Sequence, residues 1–181
     1  MGNILKRVHS NGQDSRNKNV PTNITSINML RSLYSSCVSD VPNENVDTLG
    51  KITKVYDGDT CTCIFLHDNQ VPMKINIRLC EIDAPEIKSD YELERTAALL
   101  VKNIVSNLIL DKIVKIKISK WDKYGGRVIG DIYLPNSDMT ISHYLLDKKL
   151  VKEYYGKKKE LWTDSELNNI ILFAENEINK F

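Results

Sequence analysis

Two short acidic segments carry the residues of this chain that could do chemistry. The first is the turn Asp57-Gly58-Asp59-Thr60, and the second runs from Arg78 to Glu86 and includes Asp83. A strand end with one cation and two anions is poor core material, because burying unpaired charges is costly. Carboxylate oxygens bind hard cations such as Ca²⁺, a further carboxylate can act as a base, and a guanidinium can bind a phosphate. If the intervening strands form a hairpin, the two segments meet and could build a cation site of oxygen ligands.

Each segment has a plainer interpretation when it is taken alone. Asp and Gly are common in turns on their own account, so the first segment by itself is more often a simple turn. Arg78 and Asp83 could form a surface ion pair worth about 0 to 1 kcal/mol. The chemical interpretation therefore depends on both segments meeting in one folded domain.

Composition sets broad limits on what the chain can be. Its 181 residues, 41% of them hydrophobic, suffice for one compact domain and a tail. The formal net charge of +1 gives no overall attraction to nucleic acid. The run Lys157–Lys159 beside Tyr154 and Tyr155 could provide a local one, with an ordinary solvated loop as the equal alternative. Cys61 and Cys63 lack a second pair or a nearby His, so buried free thiols in a reducing, intracellular setting are predicted.

Residues 1–47 are predicted to form a tail that is disordered or weakly helical, because Asn, Ser, Asp and Lys predominate. Its start lacks the apolar run of a secretory signal, which predicts an intracellular protein. Gly2 is a candidate for myristoylation, and Lys6 with Arg7 could add an electrostatic contact to acidic lipid. The motif has Ser or Thr where Lys6 stands, so an ordinary disordered start is the alternative to a peripheral membrane contact.

Residues 48–181 are predicted to form one domain. Alternating apolar residues predict strands over 51–56, 60–66, 71–80, 112–119, 128–134 and 151–155. Helical spacing predicts helices over 91–108, 141–148 and 163–178, the last opening with a capping box. The expected fold class is α+β, with a five-stranded barrel of the oligonucleotide-binding type (OB-fold) and three helices.

Three motifs stand in order along this domain: Asp57–Thr60, Arg78–Glu86 and Asp122–Arg127. Their order and chemistry resemble the staphylococcal nuclease (thermonuclease) family, and the resemblance spans residues 49–181. It implies an SNase-like barrel with three helices and calcium-dependent cleavage of both DNA and RNA without sugar preference. It also implies 3′-phosphate products. A monomer is expected.

The resemblance assigns the calcium ligands to the two acidic segments. Asp59 and Asp83 correspond to the carboxylate ligands of Ca²⁺. Ala84 stands where the family usually has a Thr that binds through its backbone carbonyl, and Ala keeps that carbonyl. Asp57 corresponds to a carboxylate that supports these ligands from behind.

The resemblance also implies the catalytic residues. Glu86 corresponds to the family's proposed general base, and Arg78 and Arg127 correspond to two arginines that bind the phosphate. Two departures bear on this assignment. Glu81 stands where relatives usually carry Gly or an apolar residue, and it would add negative charge near the metal if it points inward. The loop before Arg127 is one residue longer because of Gly126, which affects whether this arginine reaches the site.

Three further residues are expected to bind substrate. Lys123 and Tyr124 resemble residues near the terminal phosphate of a bound nucleotide, and Tyr155 lies near the place of a base-stacking tyrosine. A catalytically inactive OB-fold module that binds nucleic acid is the alternative function, as in the nuclease-like repeats of Tudor-containing relatives. Those repeats typically lack several acidic and arginine positions, whereas this chain has all of them.

Overall fold

The computed structural model describes residues 46–67, 71–123 and 126–178. The strands are β1 (Val46–Val55), β2 (Thr60–His67), β3 (Val71–Leu79), β4 (Ile82–Asp83), β5 (Ile113–Trp121), β6 (Val128–Ile132) and β7 (Lys152–Glu153). The helices are α1 (Glu92–Ile109), α2 (Ile141–Asp147) and α3 (Asp164–Ile178). The predictions for Gly2, for the tail over residues 1–45 and for Tyr124 lie outside the described residues.

Five strands form a closed barrel in the order β1-β2-β3-β6-β5, and β5 closes it by pairing with β1. Strands β3 and β6 run parallel, whereas the other neighbours in the barrel are antiparallel. Strands β4 and β7 form a separate two-stranded sheet. The structure confirms the predicted α+β fold of a five-stranded OB-type barrel with three helices.

Side-chain alternation explains which strand faces turn inward. In β5, Val114, Ile116 and Ile118 are buried, whereas Lys115 and Lys117 between them are exposed. The barrel interior also holds Cys61 and Cys63 of β2, and burial raises the pKa of both thiols, of Cys63 to about 12. They are free cysteines, as the sequence predicts.

Two segments differ from the sequence prediction. Strand β1 begins at Val46, because backbone pairing of 46–51 with β5 extends it through residues that show no apolar alternation. The strand predicted over 151–155 is only Lys152–Glu153 and pairs with β4 outside the barrel. This pairing matches Asp83 with Lys152 and so fixes the backbone of one candidate metal ligand.

Two helices support the acidic segments from behind. Val101 of α1 lies so close to Gly58 that a Cβ on Gly58 would be 2.7 Å from Val101 Cγ1 and 2.8 Å from Ala84 Cβ. Helix α3 packs against α1, and its predicted capping box is formed by Thr163 and Glu166. Among the described residues, no helix has the length and apolar character needed to cross a membrane.

Candidate active site

The β2–β3 hairpin brings the two acidic segments together. Thr60 of β2 is the register partner of Arg78 of β3, so the turn before Thr60 lies beside the end of β3. The backbone N–H of Leu79 donates to the carbonyl oxygen of Asp59 at 2.8 Å. The convergence that the sequence predicts is therefore a consequence of strand register.

Asp59 is buried and its carboxylate accepts three bonds. Arg78 Nη1 lies 2.9 Å from Oδ2, and the backbone N–H of Ala84 donates to the same oxygen at 3.0 Å. The hydroxyl of Thr60 donates to Oδ1 at 3.0 Å. Asp57 supports this carboxylate indirectly, because its Oδ1 accepts the backbone N–H of Asp59 at 3.1 Å.

Asp83 lies on the other side of the same guanidinium. Arg78 Nη2 is 3.4 Å from Asp83 Oδ1, and Lys159 Nζ is 2.8 Å from that oxygen. The side chains of Arg78 and Asp83 are 12% and 7% exposed, respectively. Arg78 thus joins the two candidate calcium ligands from within the protein.

The pKa values of both aspartates reflect their burial. Burial raises the pKa of Asp59 to about 6, because the loss of hydration outweighs the opposing charge of Arg78 and is reinforced by Asp57. Burial also raises the pKa of Asp83, although Lys159 and Arg78 oppose that shift. Burial thus makes the ionised forms of both aspartates less stable than they would be in water. A bound cation would stabilise these ionised forms.

Glu86 is at the open side of the site, with a side chain that is 57% exposed. Its carboxylate forms an ion pair with Lys159, which thereby links Glu86 to Asp83. The backbone N–H of Glu86 donates to Glu94 Oε1 at 3.1 Å, and Ser89 Oγ donates to Glu94 Oε2 at 2.6 Å. Helix α1 therefore holds the turn that carries Glu86 through the side chain of Glu94.

Lys159 and Glu94 are two residues of the site that the sequence did not predict, and Lys159 contacts the candidate catalytic groups directly. Burial works to lower its pKa, but hydrogen bonds to Asp83 and Glu86, together with their charges, raise the pKa of Lys159 to about 12. The run Lys157–Lys159 was the available signal. A run of three lysines does not indicate which of them points back at a turn more than 70 residues earlier.

Arg127 reaches the same cleft despite the longer loop. Its Nε contacts Asp122 Oδ2, and the backbone N–H of Asp122 donates to the Arg127 carbonyl at 3.1 Å. Gly126 adopts φ +71°, a left-handed conformation that glycine reaches without a Cβ clash. Because a guanidinium has five N–H groups, the bond to Asp122 engages only one of them.

One cleft of about 860 Å³ contains most of the predicted site. Its lining combines both acidic segments, the loop before β6 and the loop after β7, including Arg78, Glu86, Lys123, Arg127, Tyr155 and Lys159. Tyr155 is 64% exposed. Lys123 and Tyr155 thus line the same cleft as Asp59, whereas Asp83 is not among its lining residues and adjoins it through Arg78 and Lys159.

Glu81 also lines the cleft, but its side chain does not point inward toward the candidate metal ligands. Its side chain is exposed and its backbone has φ +60°, a left-handed conformation in which a Gly is more easily accommodated. Burial is the main cause of the raised pKa values of Cys80 and Asp131, and the charge of Glu153 is the main cause for Tyr155. The charge of Glu81 adds a smaller upward shift to each.

The donor set around Asp59 and Asp83 fits a hard cation. Within the described ranges, no group of three or more His, Cys, Asp or Glu side chains could hold a metal ion. The predicted ligand set has only two such side chains, because its third ligand is the Ala84 carbonyl. Four carboxylates lie at the two turns, those of Asp57, Asp59, Asp83 and Glu86. Two cationic side chains contact them, those of Arg78 and Lys159. An excess of two negative charges therefore remains at the turns. Oxygen ligands with this charge suit Ca²⁺.

Comparison with known proteins agrees with this geometry. An uncharacterized endonuclease of Escherichia coli is 29% identical to the chain over 136 residues, covering 66% of this chain and 80% of that protein. An uncharacterized endonuclease of Escherichia coli O157:H7 matches with the same identity and coverage. The family model of the staphylococcal nuclease homologues matches residues 76–177, which include Arg78, Asp83, Glu86 and Arg127. With more than half of its length matched, the chain belongs to the family of staphylococcal nuclease homologues.

Proposed function

We propose that this protein is a calcium-dependent endonuclease that hydrolyses phosphodiester bonds in DNA and RNA. The observation that carries the proposal is that Arg78, which lines the cleft together with Asp59, joins the carboxylates of Asp59 and Asp83. Family membership and the endonucleases among its relatives support the same reaction class. Neither the family nor the relatives' names specify Ca²⁺ as the cation or DNA and RNA as the substrates, and the proposal adds both.

Three groups would hold calcium: the carboxylates of Asp59 and Asp83 and the backbone carbonyl of Ala84. Bound there, Ca²⁺ would supply positive charge to a phosphate oxygen and so offset the repulsion between an anionic substrate and an incoming nucleophile. Burial favours this arrangement, because a buried carboxylate pair gains more from a cation than an exposed pair does.

Glu86 is the candidate general base. It sits at the open side of the cleft, where water and a substrate strand can both reach it, and its turn is fixed by Glu94. In the proposed reaction, Glu86 accepts a proton from water as the water oxygen attacks phosphorus. The bond from phosphorus to the 5′ oxygen then breaks, that oxygen takes up a proton from solvent water, and a 3′-phosphate end with a free 5′-hydroxyl results.

The arginines stabilise the phosphate as charge develops on its oxygens. Arg127 can donate from N–H groups that the bond to Asp122 does not use, and Asp122 orients its guanidinium. Arg78 contributes a second positive charge from the base of the cleft. Lys123 would contact a neighbouring phosphate, and the exposed ring of Tyr155 would stack on a base.

A cleavage assay with three substrates of one sequence tests the proposal. End-labelled single-stranded DNA, duplex DNA and RNA are incubated with the full-length protein in Ca²⁺, in Mg²⁺ and in chelator. We expect cleavage of all three in Ca²⁺, none in chelator, and 3′-phosphate ends that phosphatase treatment removes. Binding of the substrates without cleavage in any cation would instead identify a catalytically inactive nucleic-acid-binding module.

A further inference from the structure

Lys159 has no part in the mechanism above, yet its ammonium contacts two of the residues that act in it. Nζ lies 2.8 Å from Asp83 Oδ1 and also contacts Glu86 Oε1. Asp83 Oδ1 is in addition 3.4 Å from Arg78 Nη2. One oxygen of the acidic pair is therefore shared by two cationic side chains.

Of these two cations, Lys159 is the one that can move away. Arg78 belongs to β3, is 12% exposed, and also contacts Asp59 and the carbonyl oxygen of Leu79. Lys159 is 47% exposed and lies in the loop between β7 and α3. A lysine on a flexible four-carbon stem can turn its ammonium into water at little cost, whereas withdrawing Arg78 would leave buried Asp59 without its counterion.

We propose that Lys159 is a built-in counterion that a divalent cation displaces from Asp83, and that the exchange releases Glu86 for catalysis. The inference rests on the proposed function, because it takes calcium to bind at Asp59 and Asp83. Calcium and the ammonium compete, because both bind the Asp83 carboxylate and their positive charges repel each other. While the ammonium contacts Glu86 Oε1, that oxygen is engaged by Lys159 rather than by a water molecule. Cation binding and readiness of the base are thus coupled through one lysine.

Calcium affinity is the first readout. Isothermal titration calorimetry with CaCl₂ compares the full-length wild type with Lys159→Met, which keeps an apolar stem and removes the charge. Removal of two partly exposed ion pairs should tighten calcium binding by about tenfold. Lys159→Arg should bind like the wild type, because it keeps the competing charge. Lys158→Met is the matched control, because Lys158 is an exposed lysine of the same loop, and it should also bind like the wild type.

Chemical reactivity of the lysine is the second readout, and it follows the displacement itself. Acetylation rates at Lys159 and Lys158 are measured by peptide mass spectrometry during a calcium titration of the wild type. We expect the rate at Lys159 to rise several-fold, with a midpoint at the calorimetric dissociation constant, while the rate at Lys158 stays constant. An unchanged rate at Lys159 would overturn the inference.

The outcomes separate this inference from the proposed function. Equal or weaker calcium binding by Lys159→Met, with clear binding by the wild type, would contradict the exchange and leave the nuclease proposal standing. Absence of calcium binding by every variant would contradict both. Binding by Lys159→Met but not by the wild type would support the exchange in its strongest form.

Discussion

Arg78 and Asp59 form an ion pair inside the protein, with Nη1 2.9 Å from Oδ2 and side chains that are 12% and 9% exposed. The same guanidinium contacts Asp83, which Lys159 also pairs with, so Arg78 is the counterion of buried Asp59 and one of two for Asp83. Arg78 is therefore a stabilising residue as well as a candidate phosphate ligand. Loss of activity in an Arg78 variant must be separated from loss of folding.

The first prediction concerns the stability of Arg78→Gln in chelator. Breaking a buried ion pair by removing one partner leaves an uncompensated charge, and we expect a loss of about 3 to 5 kcal/mol in the free energy of unfolding. Calcium should restore part of this loss, since it would supply positive charge to the same carboxylates. Urea unfolding followed by circular dichroism, with and without Ca²⁺, measures both effects.

Lys115→Gln is the control for that experiment. Lys115 pairs with Asp47 at 3.4 Å, but both side chains are about half exposed. A pair of this kind contributes about 0 to 1 kcal/mol, and calcium should not alter the effect of its removal. Equal losses in the Arg78 and Lys115 variants would mean that burial of the Arg78 pair has no energetic consequence.

The second prediction concerns the pH dependence that Asp59 confers. Its pKa is about 6 in the folded protein and 3.8 as the ordinary value, so the folded state binds more protons between these pH values. The contribution of Asp59 to stability therefore rises as the pH falls from about 6 to about 4. In chelator, we expect wild type to gain about 2 to 3 kcal/mol relative to Asp59→Asn over this interval.

Urea unfolding of both proteins at pH 4, 5, 6 and 7 tests this prediction. Other titrating groups cancel in the difference between wild type and Asp59→Asn, provided that their surroundings are the same. Calcium binding should weaken over the same acidic interval, because a proton then competes for Asp59. A difference in stability that is constant with pH would contradict the raised pKa.

The third prediction concerns the packing of the first acidic turn. A Cβ on Gly58 would meet Val101 and Ala84 at distances well below van der Waals contact. Gly58→Ala should therefore cost about 1 to 3 kcal/mol and weaken calcium binding, because it pushes the turn away from Ala84. Gly126→Ala is the control. Among the described residues beyond its chain neighbours, no atom lies within 4 Å of its added Cβ, so the φ of +71° is the expected source of the cost.

Thermal unfolding and calorimetric calcium titration distinguish these two glycines. Both variants should lose stability, but only Gly58→Ala should lose calcium affinity. The opposite result, with affinity lost in Gly126→Ala alone, would place the cation nearer to Arg127 than to the acidic pair.

Sequence patterns predicted the barrel because its strands obey simple alternation, as Val114, Ile116 and Ile118 do in β5. They located the two acidic turns for a different reason, since unpaired charges at strand ends are unusual. The first half of β1 was missed because backbone hydrogen bonds to β5, rather than buried side chains, define it. Pairing of β7 with β4 was missed because two residues carry no periodicity.

The parts of the site that escaped prediction depend on contacts distant in sequence. Lys159 reaches Glu86 across 73 positions, and nothing in the run of three lysines favours it over its neighbours. Glu94 looks like an ordinary acidic residue in the first turn of a helix, where such residues are common because they complement the helix dipole. Only the fold reveals that it accepts the backbone N–H of Glu86.

The fourth prediction follows from this contact. Glu94→Ala removes the acceptor of both the Glu86 backbone and the Ser89 hydroxyl, so the turn that carries the base should loosen. We expect kcat to fall by about 10- to 100-fold, because small misplacements of reacting groups are costly. Calcium affinity should change little, since Asp59 and Asp83 are held by other contacts. Glu92→Ala, an exposed acidic residue of the same helix turn, is the control and should retain full activity.

The most direct test of the account is the cleavage rate of Glu86→Gln. Glu86 is more than half exposed, so this variant should fold like the wild type, and saturating Ca²⁺ offsets any change in affinity that follows from removing its charge. Single-turnover cleavage of labelled single-stranded DNA is measured in saturating Ca²⁺ for wild type, Glu86→Gln and Glu175→Gln, an exposed control on α3. We expect a loss of about 100-fold or more for Glu86→Gln and none for Glu175→Gln. A Glu86→Gln enzyme as fast as the wild type would contradict the account.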